Sequence, residues 1–111
     1  MAFVRGLVEA YRSLGTAPEQ LHVSAVVHGD AGYWMLRDDA YAAFTGRAGV
    51  NPNKVILREL GALGVSVELC GKTMTERGWT AEEILPGVKV VPNAYLRIVD
   101  LELQGYAYIR F

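Results

Sequence analysis

Apolar residues recur at steps of three and four along much of the chain, which is the spacing of one face of an α-helix. Residues 2–14 show this pattern and end before Gly15, a residue that often terminates helices. The same spacing predicts one helix or two short helices over residues 30–44, and further helices before Gly64 and before Gly105. Thr73 with Glu76 and Thr80 with Glu83 have the capping-box spacing and predict two short helical pieces.

Four other segments have the composition of β-strands. Leu21–Val27 is nearly continuous in apolar and β-branched residues, Val65–Cys70 alternates, and Val88–Val91 and Tyr106–Phe111 are shorter. Strands that are regularly separated by helices favour a parallel sheet covered on both faces. We therefore expect an α/β protein with a mainly parallel sheet and a single domain over residues 1–111.

Several polar residues stand where helices are expected to begin. Asp30 is expected to cap the helical segment over residues 30–44, and Asn51 precedes Pro52, which suits a first helical position. Pro92 and Asn93 are expected to open the last helix.

The charge balance excludes several classes of partner. The chain has 11 basic and 12 acidic side chains, a net charge of −1 and a pI near 6.1, which leaves no basic field for nucleic acid. Residues 20–29 form the longest stretch without charge, too short for a membrane span of roughly 20 residues. The N-terminus has no signal-peptide pattern, and a single cysteine fits a reducing compartment, so we expect a cytoplasmic protein.

The apolar content points to association between copies. Residues of the AVILMFWYC set make up 51% of the chain, and 12 glycines come in addition. With glycine counted, this exceeds the norm of roughly 45–50%. A chain this small has a large surface for its volume, so we expect part of the apolar surface to be buried in a homo-oligomer.

Candidate chemistry lies where the predicted strands end. In open parallel sheets, ligands bind outside the carboxyl ends of the strands. His28 and Asp30 follow the first strand, Cys70 ends the second, and Asn93 follows the third. We take these residues, with the neighbouring Gly29, Gly71 and Lys72, as candidate site residues.

Cys70 is the strongest candidate for a reactive group. Gly71, Lys72 and a helix start follow it, so backbone N–H groups, a helix dipole and an ammonium could all favour its thiolate. The alternative is a buried packing residue, since a lone cysteine behaves as a small apolar side chain. His28 is a candidate for holding or relaying the thiol proton, or else a packing residue at the end of its strand.

Other chemistries have little support, and we expect neither a metal nor a cofactor. His22 and His28 lie about 20 Å apart on one strand at ~3.3 Å per residue, so they do not share a metal. Gly29 and Gly32 form only part of a dinucleotide fingerprint. Cysteine, histidine and asparagine also occur together in papain-like hydrolases, but the residues around Cys70 are not those of such enzymes.

Several segments together resemble the DsrE/DsrF-like (YchN-like) proteins. They are Val27-His28-Gly29, Gly64-Val65-Ser66-Val67-Glu68-Leu69-Cys70-Gly71, Arg77-Gly78, Leu85-Pro86-Gly87-Val88 and Leu103-Gln104-Gly105-Tyr106-Ala107-Tyr108-Ile109. The resemblance covers most of the chain from about Val23 onward. Its most specific parts are the stretch around Cys70 and the Gly-Tyr-Ala-Tyr tail.

The resemblance implies a three-layer α/β fold that assembles into cytoplasmic trimers or hexamers. In sulfur-relay members, the cysteine after this strand accepts sulfur as a persulfide and passes it to a partner protein. That implies the acceptor role for Cys70, with His28 as a neighbouring candidate. The alternative is a non-catalytic oligomeric binding or scaffold protein, and the sequence leaves open whether the chain is an enzyme.

The chain departs from the family pattern in two places. The family normally has a strand before the first helix, whereas here the sequence opens in the helix at Ala2. Cys70 is followed by Gly-Lys-Thr-Met-Thr-Glu rather than by the small-residue, Arg-rich helix of the relay subunits. The chain is therefore expected to be closer to the uncharacterised members than to the relay proteins.

Overall fold

The structure is a computed structural model, and it describes residues 1–110. The α-helices are α1 (Ala2–Ser13), α2 (Asp38–Thr45), α3 (Lys54–Ala62), α4 (Gly71–Arg77) and α5 (Ala94–Leu103). The strands are β1 (Ser24–Val27), β2 (Ser66–Cys70) and β3 (Lys89–Val91). Short 3₁₀ helices occupy Pro18–Gln20, Gly29–Met35 and Ala81–Glu83.

The strands form a parallel sheet in the order β1-β2-β3, as expected from their alternation with helices. Val27 pairs with Leu69, and Cys70 pairs with Val91. The carboxyl ends of the strands therefore meet at one edge of the sheet, and Cys70 lies at its centre.

Helices cover both faces of the sheet, which gives the expected three layers. Val67 and Leu69 of β2 belong to the main hydrophobic core, together with Val8 of α1 and Leu60 of α3. Because side chains alternate between the faces of a strand, Glu68 and Cys70 point to the opposite side. There they contact α5.

Three residues that were expected to cap helices, Asp30, Asn51 and Thr73, do not cap them in the structure. The segment after β1 is a 3₁₀ helix that begins after His28, and α2 begins after Arg37, so Asp30 caps neither. Helix α4 begins directly after Cys70, which places Thr73 inside its first turn rather than at its cap. The capping-residue patterns therefore did not locate these helix starts.

Asn51 also does not cap α3, which begins after Asn53. Its side chain is buried and donates to the carbonyl oxygens of Trp34 at 2.9 Å and Leu36 at 2.7 Å. Its own oxygen accepts from the N–H of Asn53 at 2.9 Å. The amide therefore holds the segment before α2 against the start of α3.

The predicted strand at the C-terminus is wrong for residues 106–110, which form no strand, while Phe111 lies outside the described residues. Tyr106 donates its backbone N–H to Leu101 and so finishes the last turn of α5. Alternating residues form a strand only where a neighbouring strand supplies hydrogen bonds, and these residues pair with none in the described chain. Tyr108 and Ile109 are exposed.

Candidate functional site

The sulfur of Cys70 lies between the starts of two helices. Cys70 is the residue immediately before α4, and its Sγ accepts the backbone N–H of Ala94, the first residue of α5, at 3.3 Å. Cys70 is only 5% exposed. Backbone N–H groups from the starts of both helices are therefore directed toward one thiol, although the two helices are far apart in the sequence.

Gly71 allows α4 to begin this close to β3. A Cβ atom at this position would lie 2.9 Å from the carbonyl oxygen of Val91, so a larger residue would displace the backbone. Because α5 follows β3 closely, the same contact fixes the distance between the starts of α4 and α5.

These surroundings favour the thiolate of Cys70. Burial raises the pKa of the thiol, but nearby donors outweigh that effect and hold the pKa below its usual value. The donors are the backbone N–H and hydroxyl of Thr73, and the backbone N–H groups of Ala94 and Lys72. A lowered thiol pKa raises the fraction of the nucleophilic form near neutral pH.

Thr73, which its capping-box spacing predicted only as a helix cap, is also a site residue. Its Oγ1 accepts the backbone N–H of Gly29 at 3.0 Å. Gly29 has a φ of +63°, which turns the chain at the end of β1 and directs this N–H toward α4. Thr73 therefore ties the segment after β1 to the surroundings of Cys70, and its position three residues after the cysteine is the signal for that role.

His28 follows β1 directly and so lies beside Cys70 in the sheet register. It is exposed, and its ring contacts that of Tyr95 with 5.4 Å between centroids. No hydrogen bond joins His28 to Cys70 in the part of the chain that the structure describes. The His28–Tyr95 contact instead connects the end of β1 to the first turn of α5.

The charged candidates point away from the thiol. The carboxylate of Asp30 is fully exposed and pairs with Arg77 at 2.6 Å. The ammonium of Lys72 lies 4.0 Å from Glu76 on the surface of α4. The effect of Lys72 on the thiol therefore comes from its backbone N–H rather than from its charge.

Asn93 acts on the site through the backbone of α5. Its side-chain oxygen accepts the backbone N–H groups of Tyr95 at 2.9 Å and Leu96 at 3.4 Å. This cap, which Pro92 and Asn93 predicted, leaves the intervening N–H of Ala94 for the sulfur.

A buried ion pair lies beside the thiol on the same face of the sheet. Glu68 is 0% exposed, and its Oε1 accepts from Nε of Arg97 in α5 at 2.7 Å. Burial raises the pKa of Glu68, but hydrogen bonds from Arg97 and Ser66 outweigh it and lower the pKa below its usual value. The sequence pattern did not predict this pair, although Glu68 shares its strand face with Cys70.

The described residues contain no cluster of three or more His, Cys, Asp or Glu side chains that could hold a metal ion. Over residues 1–110, no helix is both long and apolar enough to cross a membrane.

Comparison with known proteins identifies the family. The model of the DsrE/DsrF-like family matches residues 4–111, nearly the whole chain. The protein therefore belongs to the DsrE/DsrF-like family, which is associated with sulfur relay.

A solved structure supports the same fold. The chain is similar to MTH1491, a protein of unknown function from Methanobacterium thermoautotrophicum, with a TM-score of 0.72 and 25% sequence identity. The similarity covers 97% of this chain and 86% of the other. A comparison with curated proteins gave no significant match.

Proposed function

We propose that the protein carries sulfur in the cytoplasm, accepting it as a persulfide on Cys70 and passing it to an acceptor thiol. The observation that carries this proposal is the thiol between the starts of α4 and α5, whose pKa is held low despite burial. A thiolate is the form that attacks sulfur. The family membership supports the same chemistry.

The reaction is two exchanges at divalent sulfur. The Cys70 thiolate attacks the terminal sulfur of a donor persulfide, a new S–S bond forms, the donor S–S bond breaks, and the donor leaves as a thiolate. The acceptor thiolate then attacks the terminal sulfur on Cys70, which leaves as the thiolate again. Each step is a thiol–disulfide type exchange with no net oxidation.

Intact mass measurement tests the proposal directly, because Cys70 is the sole cysteine of the chain. Native wild type and Cys70→Ala are exposed to a small-molecule persulfide donor and then to a low-molecular-weight thiol. We expect the wild type to gain one sulfur and to lose it to the thiol, while the variant does neither. A native wild type that stays unmodified while the unfolded chain reacts would overturn the proposal.

The burial of Cys70 favours a second candidate, a non-catalytic oligomeric binding or scaffold protein in which the thiol only packs. The two candidates differ in how fast a small alkylating reagent modifies the folded protein. Modification that requires global unfolding supports the scaffold. Modification faster than global unfolding supports the sulfur carrier.

We also propose that α5 forms a contact between copies of the chain, giving the trimer or hexamer typical of the family. Leu96, Val99 and Leu103 lie on this helix and are 69%, 55% and 83% exposed. An apolar helix face of this kind is typical of a subunit interface. Sedimentation at micromolar concentration should show an oligomer that Val99→Asp weakens and Val55→Asp, at an exposed position of α3, leaves intact. A wild-type protein that sediments as a monomer would contradict the proposed interface on α5.

A further inference from the structure

Glu68 is an unusual residue for the middle strand of a sheet, since its carboxylate is completely buried. Both oxygens are bonded, with Nε of Arg97 at 2.7 Å from Oε1, and Nη2 of Arg97 at 3.3 Å and Oγ of Ser66 at 3.0 Å from Oε2. Apolar residues of similar volume often stabilise a protein as much as a buried ion pair does. Stability alone therefore does not account for this pair.

The Glu68–Arg97 ion pair lies beside the hydrogen bond between Ala94 and Cys70. Glu68 and Cys70 are two residues apart on one face of β2, and Ala94 and Arg97 are three residues apart on one face of α5. Two contacts therefore join the same strand to the same helix. One is Cys70 with the N–H of Ala94, and the other is Glu68 with the guanidinium of Arg97.

Helix α5 buries few of its own side chains. Only Ala94 and Leu101 among its residues are buried. A bidentate guanidinium–carboxylate pair sets both distance and orientation, which apolar contacts do less well.

We propose that Glu68 and Arg97 are positioning residues for Cys70, and that their ion pair holds α5 on the sheet so that the N–H of Ala94 faces the sulfur. This inference rests on the proposed function, in which the Cys70 thiolate reacts. The donors that lower the thiol pKa against the effect of burial belong to Lys72, Thr73 and Ala94, and neither member of the pair is among them. The pair therefore acts through geometry rather than through its own charge.

A positioning role and a direct charge effect make different predictions for two variants. Glu68→Gln removes a negative charge near the thiol, so a charge effect would lower the thiol pKa, whereas a displaced α5 would raise it. Arg97→Lys keeps the positive charge but loses the planar fork. A charge effect would then leave the thiol unchanged, and displacement would again raise its pKa.

The experiment measures the rate of iodoacetamide alkylation against pH for the folded wild type and each variant. We expect the midpoint of the rate to rise by about half a pH unit or more in both variants, roughly a threefold loss of thiolate below the midpoint. Asp100→Asn is the matched control, because Asp100 binds the same guanidinium from the exposed side at 3.1 Å, and it should leave the midpoint unchanged. Amide exchange at Ala94 should also become faster in the two variants.

A midpoint that falls in Glu68→Gln, or that stays unchanged in Arg97→Lys, would overturn the positioning role. Should Glu68→Gln fail to fold, Arg97→Lys alone decides, since it keeps both charges of the pair and loses only the bidentate geometry. The midpoint is measured without any persulfide. A protein that fails to carry sulfur can therefore still show the shift, and the two proposals fail separately.

Discussion

The backbone N–H of Ala94 donates to Sγ of Cys70 over 3.3 Å, although 24 residues separate them in the sequence. Cys70 is joined to α4 through the chain and to α5 through this hydrogen bond. The state of the thiol therefore depends on where two helices begin. Several variants that leave Cys70 untouched should change its reactivity.

Alkylation of the folded wild type should reach half its maximal rate at a lower pH than alkylation of the unfolded chain. The donors around the sulfur lower its pKa below that of a free cysteine, and they do so against the opposing effect of burial. The measurement is the iodoacetamide rate from pH 5 to 10, with the chain unfolded in denaturant as the reference. A folded midpoint at or above the unfolded one would contradict the prediction.

Lys72→Ala should leave that midpoint unchanged. The ammonium lies against Glu76, and the backbone N–H that acts on the thiol is kept in the variant. An increase in the midpoint would mean that the side-chain charge reaches the sulfur.

Asn93→Ala should both destabilise the protein and raise the thiol midpoint. The variant loses the cap on Tyr95 and Leu96, which is worth about 1 kcal/mol in typical helices. The first turn of α5 then loosens, and with it the N–H that faces the sulfur. Urea unfolding measures the first effect, and the pH profile of alkylation measures the second.

Asn93→Asp is the matched variant, because a carboxylate oxygen can accept the same two N–H groups. It should retain stability near that of the wild type. A loss of stability equal to that of Asn93→Ala would show that the cap is not what Asn93 contributes.

Gly71→Ala and Gly61→Ala should change stability in opposite directions. At Gly71 the added Cβ would meet the carbonyl oxygen of Val91 at 2.9 Å, so the start of α4 must shift, at a cost of roughly 1–3 kcal/mol. At Gly61, inside α3, the added Cβ meets nothing within 4 Å, and alanine should stabilise the helix by about 0.5–1 kcal/mol. Equal effects in urea unfolding would contradict the close approach at Gly71.

The sequence predicted most of the fold because its strongest signals are local. Helix α1 begins at Ala2 as expected and ends at Ser13, and all three strands of the sheet fall within their predicted segments. The C-terminal strand was wrong because a strand needs a neighbour, and alternation along residues 106–110 carries no information about pairing partners.

For the candidate site, the sequence predicted where the backbone places the residues but not where their side chains point. The carboxyl ends of parallel strands lie at one edge of the sheet, so His28 and Cys70 could be placed at that edge. That they are neighbours follows only from the strand order β1-β2-β3, which the sequence does not give. The direction of a long side chain is not fixed by the strand that precedes it, and Lys72 and Asp30 turn to Glu76 and Arg77 instead. The partner of Glu68 was also hidden, because Arg97 lies on a helix whose rotation the pattern does not give.

Thr73→Val should raise the thiol midpoint and lower the stability of the protein. The variant removes the hydroxyl that lowers the thiol pKa and leaves the N–H of Gly29 without its acceptor, at a cost of about 1 kcal/mol. Thr73→Ser keeps the hydroxyl and should retain the low midpoint. Identical midpoints for Thr73→Val and Thr73→Ser would show that the hydroxyl does not act on the sulfur.

The buried carboxylate of Glu68 should make the protein sensitive to acid. Burial raises its pKa, but the hydrogen bonds from Arg97 and Ser66 outweigh burial and hold the folded value below the unfolded value of about 4.3. The unfolded chain then binds more protons at low pH, so this stabilisation is complete above pH ~4.3 and is lost as the pH falls through the folded pKa.

Urea unfolding between pH 7 and pH 3 should show a larger loss of stability for the wild type than for Glu68→Gln. Groups common to both proteins, such as Asp38 with its own lowered pKa, cancel in that difference. Parallel curves for the two proteins would mean that Glu68 titrates alike in the folded and unfolded chains, and that Arg97 does not stabilise its charge.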